Sequence, residues 1–163
     1  DGLPVGPEEA LAGLPWQAAG RAADGLAHTT FALVWHIGAW TRAEIAAVES
    51  KSPATRPGPH GSLGIACAAW AEPRTRTGPA AYPLWPARPA PLAESEWRIA
   101  VEDTLGRLDT VRGWIDRFDL LAPLPGHAGR TLVGEIALII AHTAYHTAQI
   151  VDHRSSIGLP VRR

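Results

Sequence analysis

Between residues 29 and 50 the apolar positions Phe31, Val34, Trp35, Ala39, Trp40 and Ile45 recur at helical spacing, with charge at Arg42, Glu44 and Glu49. This pattern predicts an amphipathic helix that ends near Ser50 and uses Thr29 or Thr30 as its N-cap. A second long helix is predicted from Glu94 to about Phe118, where Trp97, Val101, Leu105, Leu108, Val111 and Ile115 alternate with Arg, Glu and Asp. A turn rich in Pro and Gly, Ala122 to Arg130, then leads to Thr131 as N-cap of a last helix. That helix runs through about Ser155 and stops near Gly158 and Pro160. Toward the N-terminus a short helix is legible at Pro7-Glu8-Glu9-Ala10-Leu11, where Pro suits the first helical position and the acids complement the helix dipole. No segment alternates with period two over a useful length, and no repeat or heptad array is evident.

The first two long helices are joined by residues 52–91, which hold nine of the 15 prolines. The run Trp85-Pro86-Ala87-Arg88-Pro89-Ala90-Pro91 blocks helix and favours extended or polyproline geometry. A connection of about 40 residues is too long to be idle in a compact domain. Trp70, Tyr82 and Trp85 within it point to docking, because disordered segments are poor in aromatics. The connection is therefore expected to wrap the helices and bring Trp85 or Tyr82 toward the open side of any site they carry.

Length and charge narrow the classes. The 163 residues suit one domain spanning the chain. Fifteen Lys and Arg against 16 Asp and Glu leave no basic excess to attract nucleic acid or anionic lipid. A single cysteine, Cys67, excludes internal disulfides and fits a reducing cytoplasm. The longest strictly apolar run, Ile136 to Ala141, is far short of the ~20 residues that span a bilayer, and no signal-peptide pattern is legible. Methionine is absent even at position 1, so the sequence is not expected to be a whole translation product.

On the last helix Glu135, His142, His146, Gln149 and His153 fall within about 60° of one another, at ~100° per residue, while most of the circumference is Ala, Ile, Leu and Val. Burying such a stripe costs free energy unless each group is paired, and a metal satisfies several imidazoles at once. His142 and His146, one turn or about 6 Å apart, can reach one ion. His153 and Glu135 each lie about 10.5 Å from that pair along the axis; His153 reads as solvated. Tyr145 and Gln149 are close enough to contact substrate or support the ligands. Seven histidines in 163 residues give about 0.26 such i, i+4 pairs by chance, so the pair needs a third ligand from another helix. His36 shares its face with Leu33, Trp40, Ala43 and Ala47 and so points into a core. His28, near a helix start, and His60 and His127, in Gly/Pro turns, lack a comparable setting. Rival chemistries fit less well: there is no phosphate loop or Cys-x-x-Cys, His60 breaks a nucleophile elbow around Ser62, and Cys67 sits among small apolar residues.

The segments Leu33-Val34-Trp35-His36-Ile37-Gly38-Ala39-Trp40 and Thr131 to Ile150, the latter holding His142-Thr-Ala-Tyr145-His146-Thr-Ala-Gln149, with a Trp-Pro-rich connection between them, resemble the DinB/YfiT-like superfamily from about Glu8 to Gly158. Two features depart from the family pattern: the first bundle helix is short, and Ala148 stands where a Gly commonly precedes the Gln. The resemblance implies an all-α four-helix bundle, often dimeric, with a divalent metal on His36, His142 and His146. Zinc is the first expectation, with nickel or iron as alternatives. It further implies a small-molecule substrate and thiol-dependent S-transferase or isomerase chemistry with a low-molecular-weight thiol as cosubstrate. A metal-dependent hydrolase and a non-catalytic metal-binding dimer in stress response are the alternatives. Trp40, Trp85, Glu135, Tyr145 and Gln149 are the expected supporting or pocket residues.

Overall fold

The computed structural model describes residues 5–50, 83–125 and 129–161. It contains α1 (Pro7–Leu11), α2 (Trp16–Ala19), α3 (Thr30–Glu49), α4 (Glu94–Arg117) and α5 (Leu132–Ser156). Among the described residues there is no strand, only an isolated bridge between Pro123 and Thr131. The all-α expectation holds. Among the described residues three helices reach 20 residues or more, and α1 and α2 have only five and four, so the helical class holds while the expected four-helix bundle is not established. The four-residue α2 went unforeseen because Trp-Gln-Ala-Ala is too short to display a period. Among the described residues no helix is long and apolar enough to cross a membrane.

The ends of the long helices follow from local chemistry. Thr29 Oγ1 accepts from the Ala32 amide at 3.2 Å and caps α3. Thr131 precedes α5 without a side-chain cap; the Val133 amide is instead satisfied by the Leu120 carbonyl at 2.9 Å. Past the end of α5, Gly158 takes φ +78°, and the Leu159 amide closes on the Arg154 carbonyl at 2.8 Å, the αL stop that glycine permits.

Helix direction explains the long connection. Thr104 Oγ1 donates to the Val34 carbonyl at 3.0 Å, and Val48 shares a cluster with Val111 and Trp114, so α3 and α4 run parallel. Thr30 meets His153 and His36 meets His142, so α5 runs antiparallel to α3. A chain leaving α3 must travel back ~30 Å, the length of 20 helical residues, before α4 can start. A tight turn cannot do this. α4 and α5, in contrast, are joined by 14 residues, 118–131.

Buried apolar side chains form two groups. One joins Phe31, Leu33, Val34, Ile37, Trp97, Ala100 and Ile150 to the N-terminal segment; the other joins Val48, Val111, Trp114, Leu132, Ile136 and Ile139. Between these levels the helices carry small or polar residues: Gly38 and Thr41 on α3, Thr104 on α4, Thr143, His146 and Thr147 on α5. A Cβ on Gly38 would lie 2.5 Å from Thr104 Oγ1, so glycine sets the α3–α4 approach there. α1 is held against α5 by the buried Arg154, whose Nη1 donates to the carbonyls of Ala10 (2.7 Å) and Ala12 (2.9 Å). These carbonyls lie where α1 ends and lacks partners of its own.

The end of the Pro-rich connection, residues 83–93, lies along the body as a strap. The Thr29 hydroxyl bonds the Pro89 carbonyl, Arg88 pairs with Glu96, and the Leu92 amide donates to Glu96 Oε2 at 2.6 Å. Ala90 packs so closely on Gly20 that a Cβ there would sit 2.4 Å from its own. Docking of the connection is thus seen for 83–93. Its earlier part, with Ser62, Cys67, Trp70 and Tyr82, and the turn carrying His127, lie outside the described residues.

Candidate metal centre

His36 on α3 and His142 and His146 on α5 present one nitrogen each, all within 4.8 Å of one another. The antiparallel α3–α5 pair produces this: one turn of α5 supplies two rings and the facing position of α3 the third. His36 and His146 are buried and His142 half-buried. A three-histidine group of this kind is positioned to hold a metal ion.

The proton positions follow from the partners. His36 Nδ1 lies 3.0 Å from the Leu84 carbonyl, which can only accept, so Nδ1 carries the proton and Nε2 keeps its lone pair. His146 Nδ1 donates to Gln149 Oε1 at 2.7 Å, and the Gln149 amide nitrogen donates to the Tyr145 hydroxyl at 3.2 Å. His146 Nε2 is likewise left as a lone pair. His142 differs. Its Nε2 stands 3.2 Å from His36 Nε2, and its Nδ1 is buried with no hydrogen-bond partner among the described residues. Facing the bare His36 nitrogen, His142 holds its proton on Nε2. These donors suit a borderline divalent ion, since neutral imidazole nitrogens are ligands for zinc, nickel and iron.

Burial pushes His142 down to about 3, with the neighbouring His146 and His36 adding to the effect. Burial also lowers His146; the Gln149 hydrogen bond opposes this, and His28 adds a smaller lowering. Burial thus favours the neutral form of both rings, the form that ligates, and His142 keeps it far into the acid range.

Aromatic side chains frame the group. Trp40 stacks on His142 with ring centres 3.9 Å apart, and Trp85 of the strap stacks on His36 at 4.0 Å with planes 4° apart. Tyr145 meets the edge of His146 at 4.9 Å but is largely exposed, and its hydroxyl lies on the Nδ1 side of that ring, through Gln149. Glu135 is placed apart from the trio, near the start of α5, where it is buried and paired with Arg130.

The expectation that His153 is solvated is wrong. The ring is fully buried, with Nδ1 2.9 Å from Thr30 Oγ1 and Nε2 2.8 Å from the Arg21 carbonyl. The N-terminal segment covers the end of α5, and a helical wheel carries no trace of that cover. The sequence reading also passed over His28, which stacks on Trp85 at 4.0 Å, and the Leu84 carbonyl. No spacing rule could have found either, because both contacts are made through the strap.

In comparisons with protein-family models, curated proteins and solved structures, nothing matches this chain.

Proposed function

We propose that His36, His142 and His146 hold a divalent metal, zinc first, and that the chain is a metal-dependent enzyme of the DinB/YfiT-like kind. Its reaction is a thiol-dependent S-transfer or isomerisation on a small electrophile. The observation that carries the metal reading is the pinning of two Nδ1 protons, on Leu84 and Gln149, which leaves two Nε2 lone pairs in a close group whose third imidazole, His142, faces His36 Nε2. Such outer partners fix the tautomer of metal-bound histidines and strengthen them as donors.

Three neutral imidazoles leave a coordination position open and the ion's charge uncompensated, so the bound metal would supply a Lewis acid that favours an anionic reactant such as a thiolate. The chain's own residues do the rest. His36 and His146 are held in the ligating tautomer, while Trp40 and Trp85 cover the faces of two rings and keep water from them. Hydrolysis through a metal-activated water is the second reading, favoured by the same open, all-imidazole set.

Elemental analysis of the purified protein is expected to find about one divalent ion per chain. His36→Ala, His142→Ala and His146→Ala should each lose it, and His153→Ala should keep it. Stoichiometric metal in all three ligand variants would remove the assignment. A screen of the loaded protein with low-molecular-weight thiols and an electrophile, against the same electrophile in water alone, separates S-transfer from hydrolysis. Full metal with neither activity would favour the non-catalytic metal-binding reading.

A further inference from the structure

Trp85 is stacked twice. His36 lies at 4.0 Å with planes 4° apart, and His28 at 4.0 Å with planes 20° apart. Two imidazoles at these distances cannot share one face of an indole, so His28 occupies the face opposite the metal group. His28 is exposed, yet its ring lies flat on the strap. It immediately precedes Thr29, whose hydroxyl bonds the Pro89 carbonyl, so two consecutive residues grip the strap at two points. The other described anchors, Arg88 with Glu96, Leu92 with Glu96 and Ala90 against Gly20, all lie beyond Trp85 toward α4. At the end nearest the metal group the strap is held by the Trp85 sandwich, by apolar packing of the indole on the core, and by the Leu84 carbonyl on His36 Nδ1.

We propose that His28 is a positioning residue of the metal centre: by clamping Trp85 against His36 it keeps the Leu84 carbonyl on Nδ1 and thereby holds Nε2 ready to ligate. The proposal rests on the metal reading above, but it assigns a role to a histidine outside the ligand set. Aromatic stacks of this geometry are worth enough to change an affinity by about 3- to 10-fold. The clamp acts through the outer partner of a ligand, where losses of about 10- to 100-fold mark the upper range.

The test compares wild type, His28→Ala and His28→Phe, with Zn2+ alone as the probe. Phe restores a flat aromatic face without a titratable nitrogen. Chelator competition should show Zn2+ binding about 3- to 10-fold weaker in His28→Ala and close to wild type in His28→Phe. In the metal-free protein, 15N spectra of the imidazoles should show His36 protonated on Nδ1 in wild type and His28→Phe, and a mixture of tautomers in His28→Ala. Unchanged affinity and an unchanged His36 pattern in His28→Ala would overturn the proposal, as would failure of Phe to restore them. If wild type binds no Zn2+, the metal reading fails, and the His36 pattern in the metal-free protein still decides for or against the clamp.

Discussion

Of the three histidines proposed to hold a metal, His142 is the one that must change to bind it. Its Nε2 proton, shared with His36 in the metal-free protein, has to leave or move to Nδ1, where the described residues offer no acceptor. His36 and His146 need no such change, because Leu84 and Gln149 already hold their Nδ1 protons. The same burial sets the acid response. An unfolded histidine takes up its proton near ~6.5, whereas folded His142 resists until about 3. Across that window the unfolded chain binds a proton that the folded chain refuses, so stability falls as the pH drops and levels off below it. Denaturant unfolding of the metal-free protein between pH 7 and 4 should show this loss, with a shallower slope in His142→Gln. An equal slope in both proteins would assign the acid response to other groups. At this scale the pairing of His142 with His146 and the inward face of His36 were legible, because i, i+4 spacing and a face shared with Leu33 and Trp40 depend only on helix geometry; that the three would form one group came from the family resemblance alone. His153 was not, because what covers a helix end is a tertiary fact.

Among the elements, the long helices were legible to within a residue or two, since each repeats its apolar positions over five or more turns. Their relative direction was hidden. The parallel α3–α4 pair depends on a close approach at Gly38, and a position without a side chain leaves no apolar signature. Gly38→Ala should destabilise the protein by about 1–3 kcal/mol, since the new methyl would displace the Thr104 hydroxyl from the Val34 carbonyl. In a Thr104→Ala background the obstruction is gone, and the same substitution should stabilise by up to about 1 kcal/mol through helix propensity. A double-mutant cycle by denaturant unfolding checks the change of sign; additive effects would mean that the two helices do not constrain one another here.

For the molecule as a whole, the strap joins distant regions. Gly20 ends α2, and its contact with Ala90 ties the N-terminal segment to the same run of chain that carries Leu84 and Trp85. Gly20→Ala should cost about 1–3 kcal/mol by pushing the strap outward. Zn2+ binding should weaken with it although residue 20 is no ligand; thermal unfolding and chelator competition read the two effects. Unchanged affinity would make the strap a cover without influence on the ligands. The parallel run of α3 and α4 has a consequence in time. His36 meets the Leu84 carbonyl 48 residues away and His142 106 residues away in the chain. Loops of that length close slowly compared with the formation of each helix, and long-range contacts of this kind delay folding. The three rings therefore come together late, after the three helices exist and Leu84 and Trp85 have docked on them. An ion held as proposed, needing all three imidazoles, would meet a nearly finished protein, so it would act chiefly by slowing escape from the native state and contribute little to the speed of reaching it.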